Sequence, residues 1–151
     1  MLAIPRNWFS WDFTLFDEGH SLAKIRMSSW REKGTLTIAD QTYRVYREGL
    51  FSGSFILESR GTVLARAAKP GAMTRRLVVD CGGSEFELKP LSAFSRKFQL
   101  RSGGAIVGTL SPGGFLSRRM NVELSPDLPL PARVFVVWLA VLLWKRESES
   151  A

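Results

Sequence analysis

The sequence predicts a mainly β protein: a closed antiparallel barrel of about 12 strands around a buried, hydrophobic C-terminal α-helix. Three observations predict it. A hairpin pattern recurs three times with a period of about 42 to 43 residues. The strands implied by that pattern number about eleven or twelve, and a sheet of that size tends to curl and close, which removes its exposed edges. Finally, the run from Val134 to Trp144 contains no polar side chain.

The repeat begins with Phe13-Thr14-Leu15, running to Gly19 and then Leu22-Ala23-Lys24. It returns as Phe55-Ile56-Leu57, running to Gly61 and then Leu64-Ala65-Arg66. It returns again as Phe98-Gln99-Leu100, running to Gly104 and then Val107-Gly108-Thr109. Phe-x-Leu places both apolar side chains on one face of a strand. The polar residues ending in glycine supply a tight hairpin turn. Downstream, Thr74-Arg75-Arg76-Leu77-Val78-Val79-Asp80 aligns with Ser117-Arg118-Arg119-Met120-Asn121-Val122-Glu123, and upstream Phe51-Ser52 aligns with Phe94-Ser95. In the first unit Arg31-Glu32-Lys33-Gly34 stands roughly where the arginine pairs stand later. A fourth strand follows in two units, as Tyr43-Arg44-Val45-Tyr46 and as Phe86-Glu87-Leu88. A propeller has a similar period, but three blades are too few to close one. The expected organisation is a single domain, 1–151, with repeats at about 13–54, 55–97 and 98–124, a linker at 125–131 and a central helix at about 132–145.

The third unit lacks its fourth strand. Pro126, Pro129 and Pro131 forbid a central strand there, whereas Pro131 suits a first helical turn. The apolar run is too long for a typical strand and reads as a helix to about Trp144, closed by Lys145 and Arg146, cations that suit a helix C-terminus. Three placements compete for it. Eleven helical residues span about 16 Å against about 30 Å of bilayer core, which counts against a transmembrane anchor. An interfacial helix needs a polar face, and this run has none. A helix buried on all sides fits best: a closed sheet of twelve strands is wide enough to hold one, and Phe13, Leu15, Leu57 and Phe98 would line its sleeve.

With a barrel threaded by a C-terminal helix, the chain resembles the tubby C-terminal-like superfamily, which includes the plant LURP-one-related proteins and the phospholipid scramblases. The resemblance covers roughly Phe13 to Trp144. It rests on the hairpin pattern (Phe55-Ile56-Leu57 with Gly61-Thr62-Val63-Leu64-Ala65) and on the terminal helix, not on a catalytic motif. Within that group the chain is most similar to a small bacterial LURP-one-related protein. The resemblance implies phospholipid recognition, since tubby-type relatives bind phosphoinositide headgroups through Lys and Arg; none of their binding residues matches a position here one by one. The acidic calcium-binding segment of the scramblases has no counterpart in this sequence.

Composition is ordinary for one globular domain, 45% hydrophobic and 23% charged. The lone Cys81 cannot form an internal disulfide, which points to a reducing compartment, and the first residues do not read as a secretion signal. A cytoplasmic, monomeric protein is therefore expected, or one peripheral at the inner membrane face. The net charge of +7 favours an anionic partner, although a positive surface without any specific partner would read the same way.

No catalytic constellation, metal site or cofactor is expected. His20, the only histidine, reads as a turn residue and Cys81 as a semi-buried strand residue; a dyad would require them to meet. Asp17-Glu18, Glu85 and Glu87 read as solvated carboxylates. Gly103-Gly104 and Pro112-Gly113-Gly114 lie between strands and are turns, not phosphate loops. The basic residues form the candidate site. Lys69, Arg75 and Arg76 surround one strand connection, Arg118 and Arg119 the equivalent one, and Arg31 and Lys33 roughly the first. Equivalent connections of a barrel emerge on one rim, so a basic collar is expected there, distinct from Arg44, Arg47, Arg60 and Arg101. Such a collar would attract anionic phospholipid headgroups; alternatively each arginine simply solvates a strand end. Nucleic acid, with Trp8, Trp11 or Trp30 as stacking platforms, is disfavoured because no recognised motif accompanies the charge. The leading expectation is a non-enzymatic barrel that binds anionic phospholipid, and the alternative is a scaffold for protein interactions.

Overall fold

The computed structural model describes residues 1–28, 31–49, 53–71, 75–93, 95–114 and 117–150. Trp30, together with Phe51, Ser52, Thr74 and Phe94 of the repeat alignment, lies outside the described residues. The strands are β1 (Leu2–Pro5), β2 (Phe13–Asp17), β3 (His20–Met27), β4 (Lys33–Ile38), β5 (Gln41–Arg47), β6 (Phe55–Ser59), β7 (Thr62–Ala68), β8 (Leu77–Cys81), β9 (Ser84–Pro90), β10 (Phe98–Ser102), β11 (Ala105–Pro112) and β12 (Met120–Leu124). One helix, α1 (Leu130–Ser150), follows. Each strand pairs antiparallel with its neighbour in sequence, and β1 closes the ring against β12. The fold is the closed twelve-stranded antiparallel barrel with a C-terminal helix that the sequence predicts.

The internal repeat survives in atomic detail. Leu15 faces Ala23, Leu57 faces Ala65 and Leu100 faces Gly108, and a register shift follows each of those leucines. A bulge bends its strand, so three bulges at equivalent positions help the sheet to close. The small partner at each position leaves width in the sleeve for a helix.

Two boundaries differ from the sequence reading. The place of the missing fourth strand is filled by β1: Leu2 pairs with Asn121 on one side and Phe16 on the other. The N-terminal segment therefore completes the third unit. The helix is also longer than 132–145. It starts at Leu130, with Pro131 in its first turn, and runs past Lys145 and Arg146 to Ser150. The Lys145–Glu149 pair and the Arg75–Glu147 pair, 3.1 Å, hold the extra charged turn.

Inward alternation lines the barrel with apolar side chains, and every residue from Val134 to Trp144 is buried among them. Among the described residues no polar or charged residue is buried. Trp138 stacks on Phe135 (6.0 Å between ring centres) and meets Phe55 edge-on at 5.8 Å. Gly34 makes room for it: a β-carbon there would press on the Arg26 carbonyl and come within 3.4 Å of Trp138 Nε1. Accordingly α1 approaches β4 most closely. The apolar run is sheathed by the sheet, and among the described residues no helix is long and apolar enough to cross a membrane.

The ring has two unlike ends. At one, five two-residue turns join β2–β3, β4–β5, β6–β7, β8–β9 and β10–β11. At the other, connections of five to eight residues span 6–12, 28–32, 48–54, 69–76, 91–97 and 113–119. The helix enters at the turn end and finishes at the loop end.

Candidate anion-binding rim

Four strands per repeat is an even number, so equivalent connections return to the same end of the barrel. All seven residues of the expected collar, Arg31, Lys33, Lys69, Arg75, Arg76, Arg118 and Arg119, accordingly sit at the loop end. They do not share one role. The equivalent residues Ala23, Ala65 and Gly108 pair with Ile38, Cys81 and Leu124, which makes Gly34, Leu77 and Met120, four residues earlier in each strand, equivalent as well. Arg75 and Arg118 are therefore equivalent to each other and to Glu32, while Arg76 and Arg119 are equivalent to Lys33.

Arg75 and Arg118 are clamps between neighbouring connections. Arg75 donates to the carbonyls of Ala93 (2.8 Å) and Ser95 (3.1 Å), and its guanidinium lies 5.5 Å from the Phe98 ring. Arg118 donates to the carbonyls of Trp8 and Ser10 and stacks on Trp11 at 4.1 Å. Between them Arg96 donates to the Ser117 carbonyl (2.6 Å), stacks on Trp144 at 4.3 Å and offers its own carbonyl to Trp144 Nε1 (3.0 Å). Each arginine reaches the next connection around the rim. Planar guanidinium groups suit both carbonyl bonding and ring stacking. These two collar residues therefore have a structural role that charge alone does not reveal, tying one connection to the next. Arg76 is paired with Glu87 at 3.2 Å. Arg119 is exposed, without a side-chain partner among the described residues.

In the first unit the clamp position holds Glu32, which cannot donate to carbonyls. It accepts instead from Arg47 and from Arg146 of the helix. Burial would raise the Glu32 carboxyl, but the hydrogen bonds and charges of Arg146 and Arg47 outweigh it and hold the group below its ordinary 4.5. Beside it opens a cleft of about 1040 Å³ between the last turns of α1 and the connections after β3, β5 and β7. Its cations are Arg31, Lys33, Arg47, Lys69, Lys145 and Arg146, against Glu32 and Glu149: six positive groups face two negative ones. Arg31, Lys33 and Lys69 have no ion-pair partner among the described residues. Burial lowers the Lys69 ammonium, and the charges of Arg146, Arg47 and Arg75 press it down against the pull of Glu32. Crowded cations of this kind favour a bound anion, which relieves their mutual repulsion. Tyr46 also lines the cleft, and its hydroxyl donates to Glu58 at 2.7 Å.

Three of the collar residues thus line one cleft, and the sequence reading missed the rest of it. Arg47 lies outside the expected collar, yet β5 ends at the loop end and carries it there. Lys145 and Arg146 read as a helix terminus, yet they face the cleft. Charge at a strand end is visible in sequence, whereas its arrival beside the helix depends on closure of the ring.

The remaining candidates do not assemble. His20 opens β3 and Cys81 ends β8, five places apart around the ring, with α1 between opposite walls. Burial, helped by Asp80, pushes the Cys81 thiol up to about 11, so it is a poor nucleophile near neutrality. The carboxylates at 17, 18 and 85 belong to the turn end or the outer wall. Trp11, one of the candidate stacking platforms, is covered by Arg118, whereas Trp8 is exposed. Among the described residues no group of His, Cys, Asp and Glu could hold a metal ion. No protein-family model, curated protein or solved structure matches the chain.

Proposed function

We propose that the protein is a non-enzymatic barrel that binds the anionic headgroups of phospholipids at a membrane surface, through the cationic cleft and the rim around it. The observation that carries this reading is the cleft itself, where six cations and two carboxylates surround about 1040 Å³ at one end of a closed barrel. Each well-placed cation near an anionic leaflet contributes about 1 kcal/mol. The interior is apolar and filled by α1, which leaves recognition to the surface of the barrel. A place among the tubby-like barrels and a peripheral position on the cytoplasmic membrane face belong to the same proposal. Sedimentation with phosphatidylserine-containing vesicles at physiological salt tests it. The expected result is binding that is lost when Arg31, Lys33 and Lys69 become glutamate. Arg75 and Arg118 are unsuitable for that test because they tie connections together. Absence of binding, or binding indifferent to those substitutions, refutes the proposal, and capture of a stoichiometric protein partner without lipid affinity favours a scaffold instead.

A further inference from the structure

Beyond the cleft, the rim carries an apolar feature. The 6–12 connection exposes two adjacent aromatics, Trp8 at 71% and Phe9 at 88%. The next connection but one, 91–97, exposes Leu91 at 51%. Large apolar groups placed this way in water are unfavourable, and the connection does not need them for its own structure. Its backbone is closed by polar contacts: Arg6 N–H to the Asp12 carbonyl (2.8 Å), Phe9 N–H to Asn7 Oδ1 (3.0 Å) and Asp12 N–H to Ser10 Oγ (2.9 Å). Arg118 holds the carbonyls of Trp8 and Ser10 from the neighbouring connection, and Asp12 Oδ1 accepts from Met27 N–H at 2.9 Å. The segment is thus a platform closed by its own hydrogen bonds, and its two outermost side chains stand mostly in solvent.

We infer that Trp8 and Phe9 form a wedge that enters the headgroup–acyl boundary of an anionic bilayer while cations of the same rim engage its phosphates. The inference rests on the proposed lipid-binding function and adds the depth and orientation of docking: loop end down, barrel axis toward the membrane. Charge complementarity selects the bilayer as the occupant, because Arg6, Lys97 and Arg119 are exposed in connections of the same rim, on which the cationic cleft also opens. Tryptophan favours the water–hydrocarbon boundary, and apolar insertion adds to electrostatic attraction in surface binding. A segment already closed by hydrogen bonds loses less entropy on insertion than an open loop would.

The test compares the full chain, W8S/F9S and R31E/K33E/K69E on mixed phosphatidylcholine–phosphatidylserine vesicles and on pure phosphatidylcholine vesicles. W8S/F9S is expected to keep the wild-type unfolding midpoint and to bind mixed vesicles about tenfold more weakly or worse. In a second arm, F9C in a C81S background, carrying an environment-sensitive dye, is expected to shift its emission to the blue when vesicles are added. Wild-type affinity in W8S/F9S, or a dye unchanged while the protein sediments, overturns the wedge and leaves the cationic reading standing. Loss of binding in W8S/F9S with full binding in R31E/K33E/K69E supports the wedge and overturns the cationic reading. A wild-type protein that sediments with neither vesicle overturns both.

Discussion

The two ends of this barrel are closed by different physics. At the turn end, four of the five two-residue turns have positive φ at both central residues, for example Arg60 at 51° and Gly61 at 82°. Such turns match the twist of the strands they join, and closure there is a matter of local backbone geometry. At the loop end closure is non-local: Arg75, Arg96 and Arg118 bind carbonyls or rings in other connections, and Arg146 ties the helix to Glu32. Charge follows the same division. Asp17, Glu18, Asp40 and Asp80 lie at the turn end, whereas most of the lysines and arginines named above lie at the loop end. Local turns leave little room to build a site. Long connections held by side chains can position cations, open a cleft and display aromatics, and all three occur at the loop end.

The most severe way to break this comparison is to remove what joins the two ends. Truncation before Leu130 deletes the core against which all twelve strands pack, and circular dichroism and solubility should report an unfolded, insoluble product. A soluble, folded remnant would restore the reading of Val134 to Trp144 as a membrane anchor. A milder form is W138A, which should cost about 3–5 kcal/mol in denaturant unfolding, as for other fully buried tryptophans.

The core and the closure were legible in the sequence because both are written in local pattern: Phe-x-Leu alternation, turn glycines and an unbroken apolar run. β1 was not legible. Leu2-Ala3-Ile4-Pro5 is short, and its partner Met120-Asn121 lies at the far end of the chain, so only ring closure reveals it. The collar was legible as charge but not as chemistry. Arg75 and Arg118 differ from Arg31 and Lys69 only in what surrounds them, and those surroundings come from other connections. Glu32 shows the limit most clearly. One residue away from the arginine pairs in a loose alignment, it occupies the clamp position itself once the register is known, and the cleft lies beside it.

A smaller effect separates the ends directly. R118A should lower stability by about 1–3 kcal/mol, through two lost carbonyl bonds and a lost ring contact with Trp11. R60A at the turn end should change thermal or denaturant unfolding very little, since exposed positions away from special contacts rarely matter. Equal effects would mean that the arginine clamps do not hold the loop end.

The smallest expected effect is a dependence on pH. The folded-state Glu32 carboxyl lies below its ordinary 4.5. Its ionised form therefore contributes stability that is fully present above 4.5 and is lost as pH falls through the lower folded value. E32Q should cost about 1–2 kcal/mol at neutral pH, and the gap from wild type should narrow on acidification below 4.5 in unfolding curves. A gap independent of pH would assign the loss to packing instead of to the Arg47–Glu32–Arg146 cluster.

The claim that function resides at the loop end is tested most directly by a charge-matched pair. K33E/K69E and R60E/R101E change the net charge equally, one at the cationic cleft and the other at the turn end. In co-sedimentation with phosphatidylserine-containing vesicles at physiological salt, the account predicts that K33E/K69E loses about tenfold or more in affinity, while R60E/R101E stays close to wild type. Equal losses in the two variants would show that attraction follows total charge alone and would contradict a binding face built at one end of the barrel.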